Sequence, residues 1–353
     1  MKRVLLHVIG AERVGGTRTV VNDIKNSYLK EKYDFIDLVQ EETCGNSLIK
    51  AITFIRKYKR IIDLSNADII YVCGLLYSGF LMTLSAKLSS VKRIIVSVHG
   101  SELDKSNQNR IKRWVFGHFI EPLTVYLADD VFTVCKNELS NPVIRRGERG
   151  NVRGVIYNMI PSVNEEDYCS GLFRTSIGCP DSKVLVAVVG RVVEDKGHKY
   201  IIDAINQLQS EEYVFVIVGE GPYLEEYFCR CEDKIKNKQL FILGGRNDVF
   251  QILKDSDVFL FATLHENHSK SLLEAVRMKC AVICTNVGGN PEIIDNNSGI
   301  LIPPCDSNAI VRSLLRLRDK EVRTLFAETA YNVVSDKFSE KRTMGNLDIL
   351  FSK

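Results

Sequence analysis

The chain has 353 residues, which at about 150 residues per domain predicts two domains, each long enough to bury its own core. Apolar residues make up 45%, charged residues 26%, and there are only 8 prolines. This composition excludes a disordered, collagen-like or disulfide-framework protein. Residues 1–163 contain 24 Lys and Arg against 16 Asp and Glu, whereas residues 164–353 contain 23 against 28, so the first half should attract anionic partners.

Two apolar segments could be interpreted as a signal peptide or as a membrane span. The chain starts with a basic dipeptide and the apolar run Val4–Ile9, which is too short for a signal peptide and predicts a first strand. The uncharged segment Ile69–Ala86 is long enough to suggest a membrane-spanning helix. Its β-rich front half, a glycine and the helical spacing that follows favour strand, turn and helix, and a membrane span is the alternative.

Short apolar runs alternate with longer amphipathic ones along the whole chain. The predicted strands are Val4–Ile9, Phe35–Leu38, Ile69–Cys73, Arg93–Val98, Val131–Val134, Gly154–Tyr157, Val184–Val189, Tyr213–Val218, Leu240–Leu243, Val258–Phe261, Ala281–Cys284 and Ile300–Ile302. Such alternation predicts parallel sheets with helices on both faces, that is, an α/β protein of two doubly wound, Rossmann-like domains facing a cleft.

The two domains are predicted at residues 1–163 and 164–335. The polar stretch Pro161–Asp181 lacks clear periodicity and predicts the connection between them, and two helical stretches, Ser307–Val334 and Glu340–Phe351, end the chain. In open α/β sheets ligands bind beyond the carboxyl ends of the strands, so the loops that follow the strands are where a site is expected.

Two loops of the first half carry candidate site residues. Gly15 and Gly16 follow the first strand and precede a helix predicted at Arg18–Lys30, so the backbone there can approach an anion at a helix N-terminus. His99 directly follows the strand Arg93–Val98, where a neutral imidazole can bond a sugar hydroxyl or a phosphate. A plain turn and a structural histidine are the respective alternatives.

The loop after the strand Val184–Val189 contains two cations beside Gly190. Arg191 can bind phosphate oxygens in a fork, and Lys196 supplies a point charge, so the pair suits a diphosphate. A solvated basic loop is the alternative interpretation.

Two carboxylates, Glu266 and Glu274, are separated by seven residues. With a helix predicted to begin near Ser271, Glu266 lies in a loop and Glu274 in the first helical turn, where carboxylates can bind sugar hydroxyls and helix N–H groups can bind phosphate. The spacing of Ser271 and Glu274 also fits a capping box, which would explain Glu274 but not Glu266.

No metal site and no nucleic-acid site is predicted. Asp255-Ser256-Asp257 matches the DxD pattern of metal-dependent sugar transferases, but it precedes the strand Val258–Phe261 and so belongs to the opposite edge of the sheet. The positive charge is modest and no nucleic-acid-binding motif occurs.

Together these motifs resemble the retaining glycosyltransferases of family four, which have the GT-B fold. The resemblance covers nearly the whole chain as an ordered series: Gly15-Gly16, His99-Gly100, Asn158, Gly190-Arg191, Lys196-Gly197, Gly219-Glu220-Gly221-Pro222, Glu266 with Glu274, and Gly288-Gly289-Asn290-Pro291-Glu292. Each motif alone is weak, whereas their order and spacing are specific. The chain departs from the family at Asn267-His268-Ser269, where relatives usually have Gly-Phe-Gly, and this leaves the donor sugar open.

The resemblance implies metal-free transfer, without any cofactor, of a hexose-type sugar from a nucleotide diphosphate donor, with UDP-sugar favoured, and with retention of configuration. It implies a catalytic set of His99, Arg191, Lys196 and Glu266. It also implies a donor-binding set of Gly15, Gly16, Gly190, Arg191, Lys196, Gly219, Arg246, Glu266, Ser269, Ser271, Leu272 and Glu274. Residues 1–163 would face the acceptor, residues 164–335 would bind the nucleotide sugar, and a last helix in 336–353 would cross back to the first domain.

The acceptor is interpreted by analogy with that family as a saccharide or polyprenyl-linked oligosaccharide in bacterial O-antigen, capsule or lipopolysaccharide synthesis. A cytoplasmic enzyme is expected, peripheral on the inner face of the membrane, because Phe54–Ile62 and Arg110–Phe116 interleave basic with apolar residues. Helix faces packed on the sheet would explain these segments too. The alternative functions are a GT-B sugar-nucleotide epimerase, which needs no acceptor, and a non-catalytic nucleotide-sugar binding protein.

Overall fold

The computed structural model describes residues 1–10, 16–41, 47–104 and 109–353, so Gly15 of the predicted glycine pair lies outside the described residues. The contacts divide the chain into two compact units. One comprises Met1–Met159 together with Glu340–Lys353, and the other comprises Ile160–Ser339. Each unit has its own six-stranded sheet.

The first unit contains a fully parallel sheet in the order β2-β1-β3-β4-β5-β6. Its strands are β1 Lys2–Ile9, β2 Tyr33–Gln40, β3 Ile69–Cys73, β4 Arg93–Val98, β5 Asp130–Thr133 and β6 Val152–Val155. Its helices are α1 Gly16–Asn26, α2 Leu48–Ser65, α3 Tyr77–Lys87, α4 Arg110–Val115, α5 Glu121–Leu127, α6 Lys136–Leu139, α7 Pro142–Gly147 and, from the end of the chain, α17 Glu340–Ser352.

Both faces of this sheet are buried, which is why its strands are almost continuously apolar. Leu5 and Val72 pack into the core on one face, among residues of α2 and α3. Val4 and Tyr71 pack into the core on the other face, where α17 contributes Phe351. The ring of Phe351 lies edge-on to that of Tyr71, with 6.4 Å between centroids, so α17 is part of the first unit's core.

The second unit contains a parallel sheet in the order β12-β11-β10-β7-β8-β9. Its strands are β7 Val184–Val189, β8 Tyr213–Val218, β9 Leu240–Ile242, β10 Val258–Phe261, β11 Ala281–Thr285 and β12 Ile300–Ile302. Its helices are α8 Leu172–Ile177, α9 His198–Gln207, α10 Leu224–Arg230, α11 Glu232–Lys236, α12 Val249–Lys254, α13 Lys270–Arg277, α14 Asn290–Ile293, α15 Ser307–Arg316 and α16 Lys320–Lys337. The strand order reverses between β7 and β10, and such a reversal opens a crevice at the carboxyl ends of the strands.

The two doubly wound sheets are confirmed, and each predicted strand has a counterpart, but the strand predicted at Gly154–Tyr157 lies two residues earlier, at Val152–Val155. The uncharged segment Ile69–Ala86 forms β3 and the greater part of α3, as predicted. Across the part of the chain that the structure describes, no helix is both long and apolar enough to span a membrane.

Two predicted helices were wrong in extent, and in each case a polar side chain ends or starts a helix. The helix predicted at Arg18–Lys30 ends at Asn26, because the Ser27 hydroxyl accepts the Leu29 N–H and starts a short 3-10 turn. The stretch Ser307–Val334 is two helices, because the Asp319 carboxylate caps the N-terminus of α16.

The stretch Pro161–Asp181 is not the irregular connection that its composition predicts, since it contains α8. The Asp255 carboxylate accepts the backbone N–H groups of Gly171 and Phe173, both at 2.6 Å, and so caps this helix. Asp257 binds the Arg174 guanidinium and the Leu185 N–H. The two carboxylates of the DxD match therefore hold α8 against the start of β7.

Candidate active site

The candidate site lies at the carboxyl edge of the second sheet, where the loops after β7 and β10 flank the reversal of strand order. The two loops meet through their backbones. Gly197 has φ +66°, and a Cβ placed on it would lie 1.9 Å from the carbonyl oxygen of Ala262. The Leu264 N–H donates to the Asp195 carbonyl at 2.8 Å. Glycine at 197 is thus required for the contact that brings the two loops together.

Lys196 and Glu266, one from each loop, form an ion pair with 2.6 Å between Nζ and Oε2. Their side chains are only 19% and 18% exposed, and Nζ also lies 5.2 Å from the centroid of the Phe261 ring. The other Glu266 oxygen accepts the Asn267 N–H at 3.2 Å. A lysine ammonium has three hydrogens, so Lys196 can donate to a phosphate while it remains bound to Glu266.

Arg191 projects from the same loop into solvent. The next residue, Val192, is fully buried, and its N–H donates to the Glu220 carbonyl at 2.8 Å. Within the described ranges the Arg191 guanidinium has no hydrogen bond or ion pair. The loop is therefore anchored on both sides of an arginine whose five donors are available to an anion.

The loop after β8 packs beneath the loop after β7. Gly219 has φ +146°, and a Cβ on it would lie 1.9 Å from the carbonyl oxygen of Gly190. A Cβ on Gly221 would lie 2.0 Å from the carbonyl oxygen of Val192. Gly190 itself faces open space, with nothing within 4 Å of an added Cβ. Gly219 supports the loop from below, whereas the backbone at Gly190 is accessible.

The N-terminus of α13 differs from the prediction. The helix begins at Lys270, and its cap is Ser269, whose hydroxyl accepts the Leu272 N–H at 3.3 Å and lies 3.1 Å from the Ser271 hydroxyl. The capping box of Ser271 and Glu274 was therefore wrong. Glu274 is the fifth helical residue and lies in the second turn, because the helix starts one residue before the predicted point.

The departure from the family's usual motif places a histidine in the core of the second unit. His268 is 4% exposed, and its ring packs edge-on against Phe338 with 4.7 Å between centroids. Burial, together with the charges of Lys270 and Lys337, lowers the pKa of His268 to about 3. The imidazole is neutral at physiological pH and fills, as a ring, the position where relatives usually carry phenylalanine.

A glycine turn after β11 supports Glu266 from the other side. Gly288 has φ +54°, a Cβ on it would lie 1.6 Å from the Glu266 carbonyl oxygen, and the Gly289 N–H donates to that oxygen at 3.2 Å. The amide of Asn290, fully buried, donates to the Thr285 carbonyl at 3.0 Å. Asn290 is part of a motif visible in the sequence, but its structural role was not predicted, because that role depends on a carbonyl five residues earlier.

Arg246 lies in the loop after β9, the edge strand of the sheet. Its Nε and one terminal nitrogen donate to the two oxygens of the Asp248 carboxylate, at 2.8 and 2.6 Å. The ion pair raises the pKa of Arg246. Its role as a donor-binding residue stays a prediction.

In the first unit, Gly16 is the first residue of α1 and His99 follows β4. The His99 Nε2 lies 3.0 Å from the Ser97 hydroxyl, and burial lowers its pKa to about 4, so the ring is neutral at pH 7. The loop after His99 rests on a buried carboxylate, Glu121, which accepts the Ser101 O–H and, at 2.7 Å, the Glu102 N–H. No motif in the sequence signals this contact, because its partners are about twenty residues apart.

Two family models match the chain in its two halves. The model of the glycosyl transferase 4-like family matches residues 19–134, and that of the glycosyl transferases group 1 matches residues 172–333. The matches together cover most of the chain. The chain belongs to the group 1, family-four-like glycosyltransferases.

Curated and solved proteins agree with this assignment. The glycosyltransferase is 25% identical over 322 residues to the Escherichia coli UDP-Gal:alpha-D-GlcNAc-diphosphoundecaprenol alpha-1,3-galactosyltransferase, covering 87% of this chain and 81% of the relative. Its structure is similar to sucrose-phosphate synthase from Thermosynechococcus elongatus, with a TM-score of 0.81, and to Anabaena HepE in complex with UDP-glucose, with a TM-score of 0.79. Both are 16% identical, and all of each chain is covered. The two doubly wound units therefore have the GT-B fold.

Proposed function

We propose that this glycosyltransferase transfers a hexose-type sugar from UDP to a lipid-linked saccharide, with retention of configuration and without a metal ion. The contact between Lys196 and Glu266 is the observation that carries the proposal. It supports the proposal because a cation suited to phosphate and a carboxylate suited to sugar hydroxyls lie 2.6 Å apart at the reversal of strand order, where doubly wound sheets bind nucleotides.

The charges of the loop suit a leaving diphosphate. As the bond between the sugar C1 and the β-phosphate oxygen breaks, the electron pair leaves with UDP, and negative charge grows on the diphosphate. Arg191 and Lys196 are proposed to stabilise that charge, which is the task a metal ion performs in other transferases. Both DxD carboxylates, Asp255 and Asp257, are occupied by α8 and its arginine.

Retention follows if the acceptor attacks the face from which UDP departs. The acceptor hydroxyl oxygen forms the new bond to C1, and its proton passes to an oxygen of the departing diphosphate, so that charge and atoms balance. Glu266, bound to Lys196, is proposed to orient the sugar hydroxyls, and neutral His99 to line the junction of donor and acceptor. Glu274 is proposed to bind the ribose.

The acceptor class is inferred from the relatives. The Escherichia coli enzyme is named for a diphosphoundecaprenol-linked acceptor and a UDP-sugar donor. HepE was crystallised with UDP-glucose. We propose the same classes for this chain, with a place in the synthesis of O-antigen, capsule or lipopolysaccharide, and with peripheral association of the enzyme with the membrane that holds its acceptor.

The first test is thermal-shift binding of UDP, GDP, ADP and CMP. A ligand present at 100 times its dissociation constant should add about 2.7 kcal/mol to the free energy of unfolding. We expect UDP to stabilise the wild type and to lose that effect in Arg191→Ala and Glu274→Ala. Arg312→Ala, which removes an exposed arginine of α15, is the matched control and should respond to UDP like the wild type.

The second test concerns the reaction. UDP-sugars are first screened to identify the donor. The reaction is then run in the presence of EDTA, and the anomeric configuration of the product is measured by NMR. Retained configuration with undiminished turnover supports the proposal. Inversion, or loss of activity on chelation that Mg²⁺ or Mn²⁺ restores, contradicts it.

A further inference from the structure

The helical segment from Arg110 to Leu127 leaves an unusual set of side chains in solvent. It runs through α4, a π-helical turn at Phe116–Ile120 and α5, and α4 buries none of its residues. Ile111 is 73% exposed and Trp114 is 54% exposed. Soluble surfaces rarely hold large apolar side chains in such a group without a partner.

The exposed apolar residues lie three to five positions apart along the segment, and rings in its middle are in contact. The ring of Trp114 stacks on His118 at 5.4 Å and meets Phe119 edge-on at 5.3 Å between centroids. Further along the same segment, Leu123 and Tyr126 are also exposed. We call the set of Ile111, Trp114, Phe119, Leu123 and Tyr126 the apolar patch.

Cations surround the apolar patch. Arg110, Lys112 and Arg113 lie within α4 itself. Two arginines outside the segment also reach it. The Arg146 guanidinium donates to the Gly117 carbonyl at 2.7 Å, and the Arg149 guanidinium donates to the Tyr126 carbonyl at 2.6 Å.

No exposed carboxylate lies within residues 109–127, and two of the surrounding cations pair with carboxylates outside that range, Lys112 with Glu102 at 2.9 Å and Arg149 with Asp129 at 3.8 Å. The one acidic residue in that range is Glu121, which is fully buried. The Arg149 guanidinium also lies 5.6 Å from the centroid of the Tyr126 ring, so cation and aromatic ring share one surface. The segment thus presents apolar and positive groups side by side.

We propose that the apolar patch and its cations dock on an anionic lipid bilayer. Tryptophan and tyrosine favour the membrane–water interface, and aliphatic and phenyl side chains gain free energy when they enter the acyl boundary. Each lysine or arginine near an anionic leaflet adds to the binding. The charge of the rim complements a lipid of negative charge, and the apolar centre has no counterpart on a polyanion such as nucleic acid.

The other basic segment, Phe54–Ile62, lies in α2 and is only partly buried. Phe54 and Tyr58 pack against the sheet, whereas Ile61 is 38% exposed, and outside the segment α2 also exposes Leu48 and Leu64. Because α2 exposes apolar side chains beside cations as well, exposed cations of the second unit serve as the matched control.

The inference rests on the proposed function for its purpose, since a lipid-linked acceptor lies in a bilayer, but its test does not involve the donor. Trp114 is the single tryptophan of the chain, so fluorescence excited at a wavelength that tyrosine does not absorb reports on the apolar patch. The protein is mixed with vesicles of phosphatidylglycerol or of phosphatidylcholine. With phosphatidylglycerol we expect a blue shift of the emission, protection from iodide quenching, and sedimentation with the vesicles.

Variants then locate the contact. Ile111→Asp should weaken sedimentation with phosphatidylglycerol vesicles by about 10-fold or more, since it removes apolar area and adds a negative charge. Leu325→Asp, at a leucine of the second unit that is 64% exposed, should have no effect. Arg110→Gln with Arg113→Gln should weaken binding, and Arg312→Gln with Lys320→Gln, at exposed cations of the second unit, should not. Circular dichroism confirms that each variant is folded.

Four outcomes would overturn the inference: no sedimentation, sedimentation with unchanged Trp114 emission, equal binding to both lipids, or self-association that Ile111→Asp abolishes without lipid. The thermal shift with UDP is measured on the same samples. Stabilisation by UDP without vesicle binding refutes the docking surface and leaves the donor site standing. Vesicle binding without stabilisation by any nucleotide supports the docking surface and contradicts the proposed donor site.

Discussion

The imidazole of His268 packs edge-on against the phenyl ring of Phe338. Phe338 is itself fully buried, and its carbonyl accepts the Ile160 N–H at 2.9 Å. The loop between the two glutamates is therefore tied through a ring contact to the end of α16. A phenylalanine at position 268 would preserve this contact, while a charged imidazole would not.

His268→Phe should reduce the loss of stability in acid. The folded pKa of His268 is about 3, below the ordinary value near 6.5, so between these values only the unfolded chain takes up the proton and stability falls as pH falls. At pH 5 this histidine alone should lower the free energy of unfolding by about 2 kcal/mol relative to pH 7.5. Melting at both pH values measures the difference, which should shrink by about that amount in the variant.

The control for this prediction is His118→Gln, at an exposed histidine of the first unit. It should leave the difference between pH 7.5 and pH 5 as in the wild type. A His268→Phe protein with the full acid sensitivity of the wild type would show that the imidazole is not buried as described.

Gly288→Ala and Gly190→Ala should separate folding from donor binding. At Gly288 the new Cβ would meet the Glu266 carbonyl at 1.6 Å from a backbone with φ +54°, which should cost about 2 to 4 kcal/mol of stability. At Gly190 the Cβ meets nothing within 4 Å, so the protein should melt normally. If the diphosphate lies against that backbone, UDP affinity should still fall in Gly190→Ala. Denaturant unfolding and UDP titration measure the two effects, and normal stability of Gly288→Ala would contradict the described turn.

Glu121 should prove necessary for the loop that follows His99. Removal of its carboxylate in Glu121→Ala leaves the Ser101 O–H and the Glu102 N–H buried without their acceptor, at a cost of about 2 to 5 kcal/mol. Glu121→Gln keeps one carbonyl oxygen and should lose less. Burial raises the pKa of Glu121, so the amide is also a fair mimic of the protonated acid.

The readout for Glu121 includes more than stability. Under the proposed function, Glu121→Gln should lower kcat while the UDP-induced thermal shift stays unchanged, because UDP is proposed to bind the second unit. Glu148→Gln, at an exposed carboxylate of the same unit, is the control. A loss of UDP response in the Glu121 variant would count against that division of roles.

Asp255→Ala should lower stability rather than remove a metal. Its carboxylate caps α8 through two bonds of 2.6 Å to backbone N–H groups, so the variant should lose about 2 to 4 kcal/mol. At a temperature where the variant is folded, its turnover should match the wild type. An inactive but folded Asp255→Ala, rescued by excess Mn²⁺, would show that the DxD match is a metal site after all.

The fold could be predicted from the sequence because parallel strands are buried on both faces of the sheet. Such strands are continuous runs of apolar residues, which can be recognised in the sequence. Val184–Val189 and Tyr213–Val218 are strands in the structure with the predicted bounds. The bounds of helices were less predictable, since each depends on one polar side chain, Ser27, Ser269 or Asp319, that accepts a particular backbone N–H. Such a choice between neighbouring serines depends on backbone angles that a sequence does not display.

The types of residue at the candidate site could be predicted from the sequence, whereas the contacts between them could be predicted only in part. Arg191, Lys196 and Glu266 were chosen for their chemistry, and the structure brings Lys196 and Glu266 together because their strands are neighbours in the sheet. The burial of His268 and the support of the His99 loop by Glu121 depend on contacts between residues far apart in sequence, so no local pattern announces them. The roles of the donor-binding residues stay predictions.

The hydrogen bond between Ile160 and Phe338 also joins the two places where the chain passes between units, after Met159 and after Ser339. The second unit is therefore one continuous segment that is inserted into the first unit, and its two ends lie next to each other. Closely spaced ends are what domain grafting and circular permutation require. We therefore expect that residues 160–339 can be replaced by the corresponding segment of a relative without interrupting the core to which α17 contributes.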